Sequence, residues 1–200
     1  MRVLQHLPLL VAILLLMTVT SCSQPDSDES ALRDEFEIPS AARVVSFKVQ
    51  PEKPGWFGRE GLKIDIAFQL SDGNFREYAA RATASGKWRS LPISEIFLRR
   101  MAAIETAKRL RIDSYRMRGE TPAPEGSVYN PTDAQMLKTF VESLPPQPAN
   151  GLFQIRRAGT DIMRAPKSVY EEPDQDLNDF MLAMLDTDRK QIIIKVSTSY

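Results

Sequence analysis

Cysteine and histidine are nearly missing from this chain: its 200 residues include one of each, Cys22 and His6. Both lie near the N-terminus, so everything after Cys22 has neither thiol nor imidazole. Ser-His-Asp triads, Cys-His pairs, Cys/His zinc sites and disulfide frameworks are thereby excluded from the rest of the chain. Net charge is missing too, because 26 Lys plus Arg balance 26 Asp plus Glu. A domain that tracks phosphates carries a clear basic excess, so no nucleic-acid partner is expected. The glycines of Gly55-Trp-Phe-Gly58-Arg-Glu-Gly61 have neither the Gly-x-Gly spacing of a dinucleotide site nor a Gly-Lys-Ser/Thr phosphate loop. No cofactor and no metal is expected. What remains is 42% hydrophobic and 8% aromatic residues, enough for one globular domain with a core.

The N-terminus has the layout of a secretory signal: Arg2 and the free amine, a nearly continuous apolar stretch from Leu9 to Val19, then an abrupt polar turn at Ser23. As a helix, Leu7 to Val19 would reach only about 20 Å, against a hydrocarbon core of roughly 30 Å. At its end stand Val19-Thr20-Ser21-Cys22, which resembles the lipobox of bacterial lipoproteins. The resemblance implies that residues 1–21 are a signal peptide. It further implies that Cys22 carries a thioether-linked diacylglycerol and an amide-linked acyl chain, giving the protein a membrane partner through its N-terminal lipid. Ser23, where an Asp often retains Gram-negative lipoproteins at the inner membrane, implies the outer membrane, facing the periplasm.

Between Ser23 and Ser40 there are six acids and one base, about minus five in charge. Such a self-repelling segment is expected to be extended and mobile, so residues 22–42 read as lipidated cysteine plus acidic flexible tether. The globular domain then spans 43–200. Within it, Leu62 to Leu70 alternates strictly, the period of a strand with one buried face. Asp72-Gly73-Asn74 signals a hairpin turn whose three-residue loop would pair Phe68 with Tyr78, Ile66 with Ala80 and Ile64 with Ala82. Val45, Phe47 and Val49 predict a further strand.

Asn130 as cap, Pro131 at the first position and Asp133 in the first turn predict a helix. Its stripe is Met136, Leu137, Phe140, Val141 and Leu144, ended by Pro145-Pro146. A second helix is expected from Asp174 or Asp176, burying Leu177, Phe180, Met181, Met184 and Leu185. Gln191 to Ser197 reads as a last strand, with Ile192, Ile194 and Val196 on one face. Ile112–Met117 and Leu152–Arg157 read as strands, while Ser94–Leu110 fits a helix or a strand followed by a helix. The sum is an α+β domain with a mainly antiparallel sheet and two or three short helices; the alternative is an immunoglobulin-like sandwich with helical insertions.

Four residues stand out as binding candidates. Trp56, Phe57 and Arg59 share a loop and suit a contact patch, although Trp56 folded over the sheet edge to cover Ala80 and Ala82 is the favoured explanation. Arg100 interrupts an apolar stripe and must pair, snorkel or line a pocket. Charge is uneven: Arg76–Arg118 holds eleven bases and four acids, and Glu171–Asp188 holds seven acids and no base. These regions either meet and neutralise each other or leave a basic face for an anionic lipid or glycan. Asp174-x-Asp176-x-Asn178-Asp179 lacks the Gly and the final Glu of a calcium loop, so acid enrichment at a helix start is expected instead. Poverty in catalytic residue types favours a non-enzymatic envelope protein that binds or supports an envelope protein partner. The alternatives are a glycan hydrolase using paired carboxylates, with Glu95, Glu105, Glu120 and Glu125 among many unmarked acids, and a carrier of a hydrophobic ligand lined by Met181 and Met184.

Overall fold

The computed structural model describes residues 24–50, 53–55, 58–157, 168–171, 175–177 and 179–198. Two units are distinguished, Met1–Ile38 and Pro39–Tyr200. Among the described residues there are five helices and nine strands.

In the first unit, α1 spans Gln24–Glu35. The acidic segment expected to be extended is therefore helical there, and three local features offset its self-repulsion. Asp28 and Glu29 stand near the helix N-terminus, where the macrodipole favours negative charge. Pro25 occupies the first turn, where its missing N–H costs nothing. One turn apart, Arg33 donates to Glu29 at 2.8 Å. Beyond the helix, Glu37 takes a positive φ of 52°. The expected signal peptide and Cys22 lie outside the described residues.

In chain order the second unit comprises β1 (Arg43–Gln50), β2 (Lys53–Gly55), β3 (Gly58–Glu60), β4 (Lys63–Gln69), α2 (Asp72–Ala84), β5 (Arg89–Ser90), α3 (Glu95–Met101), α4 (Ile104–Arg118), α5 (Asp133–Ser143), β6 (Gly151–Arg157), β7 (Ser168–Val169), β8 (Phe180–Asp186) and β9 (Gln191–Ser197). Strands β2 and β3 form a separate hairpin. The others make one antiparallel sheet in the order β1-β4-β9-β8-β6-β5, with β7 also on β6. This is an α+β fold, not the pair of facing sheets of an immunoglobulin-like sandwich.

Where the alternation is strict, the expectation holds. Ile64, Ile66 and Phe68 of β4 pair with Val196, Ile194 and Ile192 of β9, and all six are buried. β1 pairs with the other edge of β4, but a bulge between Val44 and Ser46 takes Val45 out of the expected alternation; Val45 and Val49 are both exposed.

The hairpin expected at Asp72-Gly73-Asn74 is not formed. Those residues are the first turn of α2, whose N-cap Ser71 accepts the Asn74 N–H. Four alanines, Ala79, Ala80, Ala82 and Ala84, favour the helix, and Phe75, Tyr78 and Ala82 are buried at helical spacing. Ile112–Met117, expected as a strand, continues α4 until Gly119 takes a left-handed φ of 64°. Ser94–Leu110 resolves as α3, a break at Ala103 (φ 51°) and the start of α4. α5 forms where expected, but its cap is Thr132 rather than Asn130, in a capping box with Gln135.

The largest correction concerns Phe180–Leu185, expected as a helix and found as β8, between β6 and β9. Every residue of β8 is buried. A run buried on both faces carries no period, so its apolar positions fit a helical stripe as well as a strand. One face of β8, Phe180, Leu182 and Met184, joins the core cluster with Phe97, Leu98 and Met101 of α3, Leu144, Phe153, Tyr170 and Leu177; Leu137 and Phe140 of α5 pack against it.

The β8–β9 turn is held by buried Asp186, whose carboxylate accepts the Asp188 and Arg189 N–H groups, both at 2.9 Å. At Gly151, which opens β6, φ is 147° and a Cβ would overlap the Leu185 carbonyl, so the close approach of β6 to β8 requires glycine.

Candidate functional site

The break between α3 and α4 creates the main polar feature of the helical layer. Left-handed Ala103 ends α3, and the Arg100 carbonyl there accepts the N–H groups of Ala103 (3.1 Å) and Leu177 (2.9 Å). Leu177 thus ties the segment before β8 to the helix break. It also places Asp176 at the start of α4, where its carboxylate accepts the Thr106 N–H at 2.7 Å and a guanidinium hydrogen bond from Arg100 at 3.3 Å. The Asp176 side chain is 7% exposed. A distant residue therefore supplies the side-chain cap that Ala103 lacks.

Around this junction opens a cleft of about 500 Å³ lined by Glu95, Ile96, Arg99, Arg100, Ile104, Glu105 and Asp176. Arg100, singled out in the sequence, both pairs and lines this pocket. Glu95 and Glu105 are exposed and stand beside cations, Arg99 at 3.8 Å and Lys108 at 3.9 Å. Next to the cleft, Asp133 in the first turn of α5 receives Arg99 at 2.8 Å and Lys108 at 3.2 Å. Hydrogen bonding from Lys108, aided by Arg99, holds the Asp133 carboxyl below the usual carboxylate range against partial desolvation. One carboxylate thereby links α3, α4 and α5.

Arg59 lies in β3, its backbone paired with Pro54 in the small hairpin, whereas Arg100 belongs to the helical layer. Trp56 and Phe57 lie outside the described residues. The positions Trp56 was expected to cover do not form a strand: Ala80 is exposed on α2, and Tyr78 packs edge-on against Trp88 at 6.1 Å. Of the two charged stretches, Arg100 and Asp176 make a direct ion pair, and Arg89 donates to the Glu171 carbonyl. No helix starts at Asp176, so its acid is explained by the remote capping of α4 rather than by a local helix dipole. Met181 and Met184, named for the alternative of a ligand carrier, are fully buried on the central strand β8.

Sequence reasoning missed Asp176 as a capping residue and Asp133 as a three-helix link. It had marked Asp133 only as a first-turn acid. Neither partner set is local, and only the fold brings Thr106 and Arg100 to a residue seventy positions away. No family model, no curated protein and no solved structure matches this chain.

Proposed function

We propose that this is a lipid-anchored protein of the bacterial cell envelope, held at the outer membrane and facing the periplasm through Cys22. Its α+β domain acts without catalysis, by binding or supporting an envelope protein partner. The reading is carried by Val19-Thr20-Ser21-Cys22 at the end of the apolar stretch, followed by a body without thiol or imidazole. Two or more acyl chains give durable anchoring where a single chain is marginal. Cys22→Ala should move the protein from the membrane to the soluble fraction, and mass spectrometry of the wild type should find an acylated N-terminal cysteine. An unmodified Cys22 in the membrane fraction would overturn the anchor. In-cell crosslinking from the cleft residue Ile96 should yield a discrete adduct with an envelope protein; a chain that stays uncrosslinked in the envelope would overturn the binding role.

One observation favours a second reading, hydrolysis of an envelope glycan: Glu95 and Glu105 share the cleft. A carboxyl becomes a general acid in an apolar pocket, whereas these two are solvent-exposed with cations beside them. That contrast supports the non-enzymatic reading. Glycan turnover by the wild type that is abolished in both Glu95→Gln and Glu105→Gln would reverse the preference.

A further inference from the structure

The main sheet has one long open edge. On the β6 side its outermost strands, β5 and β7, are two residues each. On the other side stands β1, eight residues long and so about 26 Å from end to end. Among the described residues, no backbone hydrogen bond reaches β1 except those from β4. From Ser46 to Gln50 its register with β4 is regular, so the outward N–H and C=O groups of that stretch form an unbroken row that another strand can meet.

The two faces of this edge differ in chemistry. On one, Val44, Phe47 and Val49 lie opposite Phe68, Ile66 and Ile64 of β4. Those β4 residues are fully buried, whereas Val44 and Phe47 are half-buried and Val49 is 40% exposed. The apolar layer thus runs out to the edge and is left uncovered there. On the other face Arg43 lies opposite Gln69, Lys48 opposite Asp65 and Gln50 opposite Lys63, with Lys195 of β9 beyond Asp65. Across β1, β4 and β9 there are four cations, Arg43, Lys48, Lys63 and Lys195, and one carboxylate, Asp65. Lys195 takes that carboxylate at 3.1 Å. Arg43, Lys48 and Lys63 make no ion pair among the described residues.

We propose that β1 is a docking edge for an extended, acidic segment of the partner protein, which adds to the sheet as a further strand. Its main chain bonds the Ser46 to Gln50 stretch. Alternate side chains continue the layer of Val44, Phe47 and Val49, and the carboxylates between them face Lys48 and Arg43. The proposal rests on the binding reading and adds to it a second surface and the partner's chemistry. The occupant is not a second copy, because two such edges would bring strips of like charge together, and lysine on an edge strand opposes that pairing. A strand of opposite charge meets no such barrier.

The test uses the acylated full-length chain in detergent micelles and two short acetylated probes, a peptide alternating valine with glutamate and its valine-lysine counterpart. The glutamate peptide should bind by fluorescence anisotropy and slow hydrogen exchange at the outward amides between Ser46 and Gln50, while the lysine peptide does neither. Arg43→Gln and Lys48→Gln, both at exposed positions, should each weaken binding about two- to five-fold, the worth of an exposed charge pair. High salt should weaken it likewise. No binding, equal binding of the two peptides, or binding that leaves the Ser46 to Gln50 amides exchanging as in the free protein would overturn the proposal. So would a dimer in sedimentation that protects the same amides. If the peptides fail while the Ile96 crosslink still captures an envelope protein in cells, the edge is refuted and the binding role stands.

Discussion

Asp176→Ala offers the sharpest test of how the α3–α4 junction is held. The substitution removes two hydrogen bonds at once: the cap on the Thr106 N–H at 2.7 Å and the acceptor for Arg100 at 3.3 Å. Loss of a helix cap costs about 1 kcal/mol. A hydrogen bond between charged groups is worth about 1.5–3 kcal/mol, and the low end applies because the Arg100 side chain is partly exposed. The sum is about 2–3 kcal/mol, a large share of an ordinary stability of about 5–15 kcal/mol. In a domain of this size it corresponds to a fall in Tm of about 5–10 °C. Asp176→Asn separates the parts, because its amide oxygen can still accept from Thr106 while the charge is gone; it should lose about half as much. Urea unfolding of both variants, with m held constant, reads the result. An Asp176→Ala variant within about 0.5 kcal/mol of wild type would refute the remote cap. An Asn variant as unstable as the Ala one would show that the ion pair, not the cap, matters.

Three further outcomes follow from the same geometry. The Asp133 carboxyl is held below its ordinary 3.8 by Lys108 and Arg99, so its contribution is present above that pH and lost as the pH falls through the lower folded value. Asp133→Asn should therefore flatten the acid limb of a urea-midpoint profile, and high salt should shrink the difference; parallel profiles would contradict it. Gly151→Ala should destabilise by at least about 2 kcal/mol, since φ there is 147° and the new Cβ meets the Leu185 carbonyl; a neutral result in thermal unfolding would show that β6 can move off β8. Leu182→Ala should cost about 2–5 kcal/mol, because Leu182 is fully buried on the central strand; a loss below about 1 kcal/mol would place it outside the core.

The legible elements share a feature: one wet face and one dry face. β4 and β9 announce themselves by alternation because the residues between Ile64, Ile66 and Phe68, and Ile193 between Ile192 and Ile194, are less buried. The helix at Asp133–Ser143 announces itself by its stripe and its proline stop, with the cap misplaced by two residues because Asn130 is engaged by Ala123 and Arg111 instead. At the candidate cleft only Arg100 was legible, as a charge out of place in an apolar stripe. Asp176 was not, because a carboxylate shows no sign of which helix it will cap.

Composition and local pattern alone established the α+β class, the two alternating strands, the helix before Pro145 and the poverty in imidazole and thiol. Tertiary structure alone decided that Phe180–Asp186 is the buried strand between β6 and β9, and that Asp176 closes the start of α4. The reason is that periodicity records a boundary between water and core along one element. A segment wrapped on every side has no such boundary to record, and a contact across seventy residues exists only once other elements have brought its two ends together.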